Sequence, residues 1–333
     1  MTDIEQTDEW VKNQHYVPQF LLRNFSVPAK KSQIWVFDKH TEKSFTTNIR
    51  NVCSETGFYD IQLGESGYTM DPSFGELEGK AARVINRILR EERLPKFDSE
   101  DRAVLAVFVA IQFLRVKAAR TRITDMNDLL KMKLQSLGTN ESDIARFISF
   151  SEEAPKLISM KLLEKIGDFV PFFFFKTWIL LKTTSQARVQ ISDNPVTLQN
   201  HKSFGVQGNL GLGVEGIQIY MPISTKLSLG IICPSHEEEF TKAYKQYAEL
   251  RQIRPDIKEA LGQRGALFEE FITGMREGTP INMVPDNVLN LNSLQVAFSY
   301  RFLYSSSDAF DVARQMIREN PRFKTAPRME LVS

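Results

Sequence analysis

The stretch from Asn13 to Phe25 holds the residues best suited to chemistry, because one of the chain's four histidines lies there among aromatic and polar side chains. An imidazole that is neutral near pH 7 can act as a base, an acid or a ligand. Pro18 suits the first turn of a short helix reaching Asn24. Such a helix would place His15 just before its start and Arg23 one to two turns later. The alternative is that His15 caps a helix or lies at the core edge and bonds backbone.

A second candidate is the run Ser192-Asp193-Asn194-Pro195, which follows a predicted strand. Asp193 would then project from a strand end, where a carboxylate can meet a substrate. Pro195 biases Asn194 away from the helical region and fixes the turn. The alternative is structural, because Asp and Asn before a proline build turns by bonding their own backbone.

Two glutamates in the first turns of the first long predicted helix are further candidates. Ser73 and Glu76 have the spacing of a capping box, which would explain Glu76 without any chemistry. Glu78 is less explained by local structure, although an exposed helix glutamate is common.

The remaining candidates lie on two other predicted helices. Gln112 and Arg115 are three residues apart on the apolar second helix, and a buried arginine there would need a carboxylate or phosphate partner. The alternative is a solvated arginine whose stem lies along the helix. Asn292 lies near the start of a late helix, where the structural alternative is an N-cap.

The hydrophobic pattern that must position these residues predicts an α+β fold, with a mixed central sheet, long flanking helices and an N-terminal β-hairpin. The predicted strands are 34–37 and 43–47 (the hairpin), 58–61, 171–182, 187–191, 216–222 and 227–232. The predicted helices are 71–92, 98 to beyond 129, 141–150, 153–168, 236–251, 256–275, 288–304 and 308–319. A Gly-rich loop is predicted from Gly205 to Gly216. We expect one composite domain over 1–333: an N-terminal motif and hairpin (1–70), a helical part (71–170), a strand-rich part (171–235) and C-terminal helices (236–333).

Composition excludes several classes of protein. The chain has a net charge of +1, and 42% hydrophobic with 25% charged residues is an ordinary globular balance. Two cysteines cannot form a disulfide framework or a zinc ribbon. The acidic start is unlike a signal peptide, and the apolar run 169–181 is too short to span a membrane, so we expect a cytoplasmic protein. The sequence has no phosphate-binding lysine loop, no G-x-S-x-G and no H-E-x-x-H.

The opening HYVPQFLLRNF resembles the hallmark of a bacterial family, domain-of-unknown-function family 4238. Later segments also resemble it: IWVFDKHTEKSF, NVCSETGFYD, FGELEGKAARVI, IQFLR, ISDNPV and LNSLQVAFSYRFLYS. The resemblance implies a polar signature of His15, Tyr16, Arg23, Glu78, Arg115, Asp193, Asn194 and Asn292, with the choice between Glu76 and Glu78 ambiguous by register. Many members carry proline after the second-helix arginine. Val116 stands there in this chain, so we expect that helix to continue unbroken.

This residue set suits hydrolysis or transfer at a phosphate ester, in RNA, DNA or a nucleotide. His15 would be the general acid or base, and Arg23 or Arg115 would hold the phosphate. Asp193 with Glu78 would hold a divalent cation (Mg²⁺ or Mn²⁺) or orient the histidine. Tyr16, Asn194 and Asn292 would complete substrate binding. The competing hypothesis is a non-catalytic module that binds a ligand or a protein, in which these residues form a structural hydrogen-bond network. A role in bacterial defence or as a toxin is suggested by the family resemblance alone, and by no particular residue.

Overall fold

The computed structural model describes residues 13–63, 66–140, 142–144, 153–183, 186–204, 208–254, 256 and 263–326. The helix predicted at 141–150 lies largely outside the described residues. Residues 205–207 of the predicted Gly-rich loop and residues 257–262 of the helix predicted at 256–275 also lie outside them. The described part is α+β, as the hydrophobic pattern predicts.

The helices and strands run as follows. The helices are α1 Gln19–Arg23, α2 Asp71–Glu91, α3 Glu100–Leu114, α4 Lys117–Ser136, α5 Ala154–Glu164, α6 Ile166–Phe169, α7 Pro171–Phe174, α8 Pro234–Ile253, α9 Gln263–Glu277, α10 Pro285–Phe298 and α11 Asp311–Glu319. The strands are β1 Asn13–His15, β2 Gln33–Asp38, β3 Lys43–Asn48, β4 Ser54–Thr56, β5 Asp60–Leu63, β6 Ser66–Thr69, β7 Thr177–Thr183, β8 Ile191–Ser192, β9 Thr197–Gln199, β10 Gln218–Pro222, β11 Leu227–Ile232, β12 Pro280–Met283 and β13 Phe302–Ser305.

The N-terminal segment is held between a strand pairing and a short helix. β1 pairs antiparallel with β4, with His15 opposite Ser54. The predicted short helix is present as α1, but Pro18 is extended (φ −63°, ψ 141°) and directly precedes the helix instead of lying in its first turn. Leu21 and Leu22 of α1 are buried, so this short helix is held by packing rather than by its own length.

Two separate sheets form the strand-rich part. The first has the order β3-β2-β13-β8 and contains the predicted hairpin, β2 with β3. The second has the order β12-β7-β11-β10-β9 and is mixed, because β12 runs parallel to β7 while the other neighbours are antiparallel. The predicted strand at 187–191 is reduced to β8 and belongs to the first sheet, not to the sheet of β10 and β11.

The predicted strand at 171–182 is wrong in its first part. Pro171–Phe174 forms the helical turn α7, and the strand begins only at Thr177. Pro171 starts this turn because its ring presets a helical φ and it has no amide hydrogen to satisfy. The indole Nε1 of Trp178 donates to the carbonyl of Phe173 at 2.9 Å, which fixes the turn against the strand that follows.

Two predicted helix boundaries also need correction. The second long helix does not continue unbroken: α3 ends at Leu114, and α4 begins after Val116, which is extended (φ −98°, ψ 158°) and buried. Burial of this branched side chain in the core accompanies a break that its type alone does not predict. The late helix ends at Phe298 rather than near 304, and the chain then forms β13.

The capping box predicted from Ser73 and Glu76 is wrong, because α2 begins two residues earlier, at Asp71. The carboxylate of Glu76 instead pairs with Lys80 one turn later, at 2.7 Å. The start of α3 does carry a cap, since the Ser99 hydroxyl accepts from the amide of Arg102.

One hydrophobic core joins the N-terminal segment, the helices and both sheets. It includes Tyr16, Ile34 of β2, Ile85 of α2, Phe108 of α3 and Leu229 of β11. Among the described residues, no helix combines the length and the apolar character needed to cross a membrane.

Candidate functional site

Three of the predicted site residues line one cleft. It has a volume of about 530 Å³ and is formed by the end of β1, by α1 and by the first turns of α2. His15, Arg23 and Glu78 line it, together with Asn13, Gln19, Phe20, Phe74, Gly75, Gly79 and Ala82. The cleft exists because α1 ends after five residues and because α2 carries glycine at two positions one turn apart, where no side chain fills the space.

His15 lies at the end of β1 and is half-buried. Its carbonyl accepts from the Tyr59 hydroxyl at 3.2 Å, which fixes the backbone, and its Nε2 is buried without a hydrogen-bond partner among the described residues. Burial lowers the pKa of His15, and the backbone of Arg50 and the charge of Glu78 oppose this only in part. The imidazole is therefore neutral near pH 7. An unpartnered buried nitrogen is costly in a fold, and an ordered water is a common partner for such an atom.

Glu78 projects from α2 onto a buried arginine. One carboxylate oxygen accepts from Nη1 of Arg115 at 2.6 Å, where the side chain of Glu78 is 28% exposed and that of Arg115 is 1% exposed. Glu76, two residues earlier, is 80% exposed and pairs with Lys80 instead. The structure therefore assigns the buried ion pair to Glu78 and places Arg115 inward rather than in solvent.

Gln112 completes a chain of hydrogen bonds from this ion pair to the N-terminal segment. Its side-chain oxygen accepts from Nε and Nη2 of Arg115, at 3.0 and 2.9 Å, and its amide nitrogen donates to the Tyr16 carbonyl at 2.9 Å. The guanidinium is thus occupied by protein partners on both edges. Arg115 holds Glu78 in place and is not available to bind a phosphate by a two-point contact.

Arg23 is the cationic side chain of the cleft that no carboxylate neutralises. It is exposed at the end of α1, and Nη2 donates to the side-chain oxygen of Gln19 at 3.2 Å. No described residue forms an ion pair with it. Because Arg115, which lies behind the lining, pairs with Glu78, the unpaired charge of the lining is the positive charge of Arg23.

Asp193 is fully buried. Its two carboxylate oxygens accept from the backbone amides of Tyr300, Arg301 and Phe302 at 2.7 to 2.8 Å. Burial raises the pKa of Asp193, although the three amide donors and Lys39 act in the opposite direction. In this position the carboxylate holds the connection between α10 and β13, and it is not among the lining residues of the His15 cleft.

Three further signature residues are also buried and bonded within the protein. Asn194 donates to the carbonyl of Phe298 at 2.8 Å. Asn292 lies inside α10, not at its N-cap, and exchanges hydrogen bonds with the amide of Gln190 and the carbonyl of Arg188. Tyr16 packs on Phe58 with ring centroids 5.0 Å apart, and burial raises the pKa of its hydroxyl.

Sequence reasoning missed two features of the cleft. Gln14 is buried, donates to Asp60 and accepts from the amide of Tyr59, so it anchors β1 beside His15. Gly75 and Gly79 leave space on the face of α2 that lines the cleft. Glycine is unfavourable inside a helix, so two glycines four residues apart in a predicted helix could have indicated such a space.

Metal binding would need help from a ligand. No group of three or more His, Cys, Asp or Glu side chains that could hold a metal ion is present in the described part of the chain. In the cleft, Glu78 is the carboxylate that could take part. Mg²⁺ or Mn²⁺ would then be bound by this side chain together with water and substrate phosphate, an arrangement common for Mg²⁺.

The protein therefore has an α+β fold and a cleft lined by a histidine, an arginine and a glutamate that is paired with a buried arginine. The chain belongs to the family described as a protein of unknown function (DUF4238), whose family model matches residues 13–309. No curated protein and no solved structure matches the chain significantly. The family match begins with β1, ends between β13 and α11 and includes every residue of the polar signature.

Proposed function

We propose that the chain is a hydrolase of phosphate esters, of the phosphodiesterase or nuclease type, that works at the His15 cleft. The observation that carries the proposal is the convergence of His15, Arg23 and Glu78 on one cleft from three different elements. The substrate class is RNA, DNA or a nucleotide, because the unpaired charge of the lining is positive and suits a phosphate.

In this mechanism His15 takes a proton from the attacking water or gives one to the leaving oxygen. Its lowered pKa keeps the imidazole neutral and ready to accept a proton at pH 7. The charge of Glu78 favours the imidazolium that forms next, since it raises the pKa of His15, while the charge of Arg115 opposes it. Arg23 binds the phosphate oxygens at the open end. A divalent cation held by Glu78 would supply further stabilisation of charge on the phosphate.

The test is hydrolysis of bis(4-nitrophenyl) phosphate and of single-stranded RNA and DNA, with Mg²⁺ or Mn²⁺ added. His15→Ala should lower the rate by about 10²- to 10⁴-fold, with little change in melting temperature. His40→Ala is the matched control, because His40 is exposed in the turn between β2 and β3. Equal rates for His15→Ala and the wild type would contradict a role for His15 in the reaction.

A non-catalytic module is the second candidate, and a specific observation favours it. Five of the eight signature residues are buried inside the fold: Tyr16, Arg115, Asp193, Asn194 and Asn292. The side chains of the last four are hydrogen-bonded there. In that case the cleft binds a ligand or a protein segment without turnover. Binding of a substrate analogue that Arg23→Ala weakens, with no hydrolysis by the wild type, would favour this module. A cytoplasmic location and a defence role remain predictions.

A further inference from the structure

A second cleft, of about 680 Å³, lies where the linker between α2 and α3, the start of β7 and the end of α9 meet. It shares no lining residue with the His15 cleft. Five basic side chains line it, against two carboxylates: Arg93, Lys96, Arg102, Lys176 and Arg276, with Glu237 and Glu277. The whole chain has a net charge of +1, so this is a local concentration of positive charge.

Arg102 is the innermost cation of this second cleft and has no carboxylate partner among the described residues. It is 5% exposed, and its Nη2 donates to the carbonyls of Phe174 and Lys176 at 3.1 and 2.8 Å. Within the described part of the chain, its Nε has no hydrogen-bond partner. Burial alone lowers its pKa, to about 9, and burial lowers the pKa of Lys176 as well. Desolvated cations without a counter-ion are costly, and an anion in the cleft would offset that cost.

Exposed aromatic rings lie beside these cations. Phe97 is 54% and Phe175 is 65% exposed, and the Phe97 ring lies 5.1 Å from Phe174 and 6.4 Å from Phe175, between centroids. Below them the Arg102 guanidinium stacks over Trp178 at 4.0 Å. Large exposed rings beside a cationic groove are the combination with which proteins stack bases and track phosphates.

The carboxylates of Glu237 and Glu277 do not neutralise the cations of this cleft, so those cations can bind an anion. Glu237 accepts from the Thr177 hydroxyl, and Glu277 uses its backbone carbonyl to accept from Arg93 at 3.3 Å. Neither forms an ion pair with a lining cation among the residues that the structure describes. The volume also falls within the range of about 300–1,000 Å³ that small-molecule sites occupy.

We infer that this second cleft binds a nucleoside phosphate, with the base stacked on Phe97 or Phe175 and the phosphate held by Lys96, Lys176 and Arg93. The ligand is either a free nucleotide or the end of a single strand, since both present one base and one phosphate. The inference stands independently of the hydrolase proposal, because it uses a different cleft.

The test is calorimetric titration of the full chain at low salt with AMP, adenosine, inorganic phosphate and a short single-stranded oligonucleotide. AMP should bind more tightly than adenosine and phosphate, because it alone offers both contacts. An oligonucleotide that binds more tightly than AMP, and loses affinity in the same variants, identifies the strand end as the ligand. Equal affinities for AMP and phosphate, or no binding of AMP, would overturn the inference.

The variants separate stacking from charge and one cleft from the other. Removal of the stacking ring, by Phe97→Ala or by Phe175→Ala, should weaken AMP by roughly 5- to 100-fold. Lys96→Ala should weaken both AMP and phosphate. Phe45→Ala and Arg90→Ala are matched controls, since both side chains are exposed outside this cleft. Arg23→Ala should remove only AMP binding at the His15 cleft, so the AMP binding that Lys96→Ala weakens should remain. Loss of all AMP binding in Arg23→Ala, or full affinity in both Phe97→Ala and Phe175→Ala, would contradict the assignment.

Discussion

At the scale of single residues, the burial of His15 predicts how stability depends on pH. Burial lowers its pKa in the folded state, while the unfolded imidazole titrates near ~6.5. Below that pH the unfolded chain binds the proton first, so the free energy of unfolding should be highest above ~6.5 and fall as the pH drops through the folded pKa. His15→Gln, which cannot take up a proton, should flatten this slope in urea unfolding between pH 8 and pH 5. His40→Gln should retain the slope, and an unchanged slope in His15→Gln would contradict the lowered pKa.

The ion pair of Glu78 predicts a contrast between two neighbouring glutamates. Glu78→Ala leaves the guanidinium of Arg115 buried without its counter-ion, and breaking a buried pair costs about 3–5 kcal/mol. Because Glu78 is partly exposed, we expect a loss near the lower end of that range. Glu76→Ala removes an exposed pair and should leave the melting temperature nearly unchanged. Similar melting temperatures for the two variants would contradict the assignment of the pair to Glu78.

The residue types of the site could be predicted, but their division into two groups could not. His15, Arg23 and Glu78 line a cleft, whereas Asp193 and Asn292 bond backbone groups more than 100 positions away in the chain. Aspartate before Asn-Pro suits a catalytic strand end and a turn equally well. Its role here depends on the amides of Tyr300 to Phe302, and no local pattern shows that they meet it.

At the scale of elements, one substitution in α2 should stabilise the protein and at the same time take up space in the His15 cleft. A Cβ at Gly75 would meet no atom within 4 Å, and Gly75 lines the His15 cleft. Gly75→Ala should therefore stabilise the protein by about 0.4–1 kcal/mol through the entropy of the unfolded chain. The added methyl group should reduce binding or turnover at the cleft. A variant more stable than the wild type with full activity would indicate that the reaction takes place elsewhere.

An alanine at Gly274 in α9 should have the opposite effect on stability. A Cβ there would clash with Cγ1 of Ile281 in β12 and lie 2.9 Å from the carbonyl oxygen of Thr279. Gly274→Ala should destabilise the protein by about 1–3 kcal/mol, because the helix must move away from the strand. Thermal unfolding of the two alanine variants side by side would show whether the sign differs as expected.

The elements that follow local rules were predicted well, and those that depend on tertiary packing were not. The β2–β3 hairpin and α2 follow the alternation and the helical periodicity of the sequence. The run from Pro171 to Phe175 is apolar throughout, and periodicity alone does not separate a buried strand from a buried helical turn in so short a run. The break at Val116 likewise depends on burial of that side chain.

At the scale of the whole molecule, strand pairing could not be predicted from the sequence. β8 and β13 join the N-terminal hairpin, although more than 100 residues separate each of them from it. The first sheet is thereby completed by β8, which lies between β7 and β9 of the second sheet in sequence, and by β13, which follows β12. The division into N-terminal, helical, strand-rich and C-terminal parts describes the order of the chain but not its packing.

This interleaving predicts that the two sheets unfold together. Ile34 and Val36 of the first sheet and Leu180 and Leu229 of the second belong to the same hydrophobic core. Loss of either sheet would expose that shared core, so we expect one cooperative transition in urea. Trp35 in β2 and Trp178 in β7 are reporters for the two sheets.

Two single-tryptophan chains would measure this cooperativity. Both carry Trp10→Phe, a position outside the described residues, and one adds Trp35→Phe while the other adds Trp178→Phe. Trp178→Phe also removes the hydrogen bond to Phe173, so the two chains should differ in midpoint and each must be judged by itself. In each chain the fluorescence transition should coincide with the loss of far-ultraviolet circular dichroism. A fluorescence midpoint that precedes the loss of helical signal in either chain would show that its sheet unfolds as a separate unit.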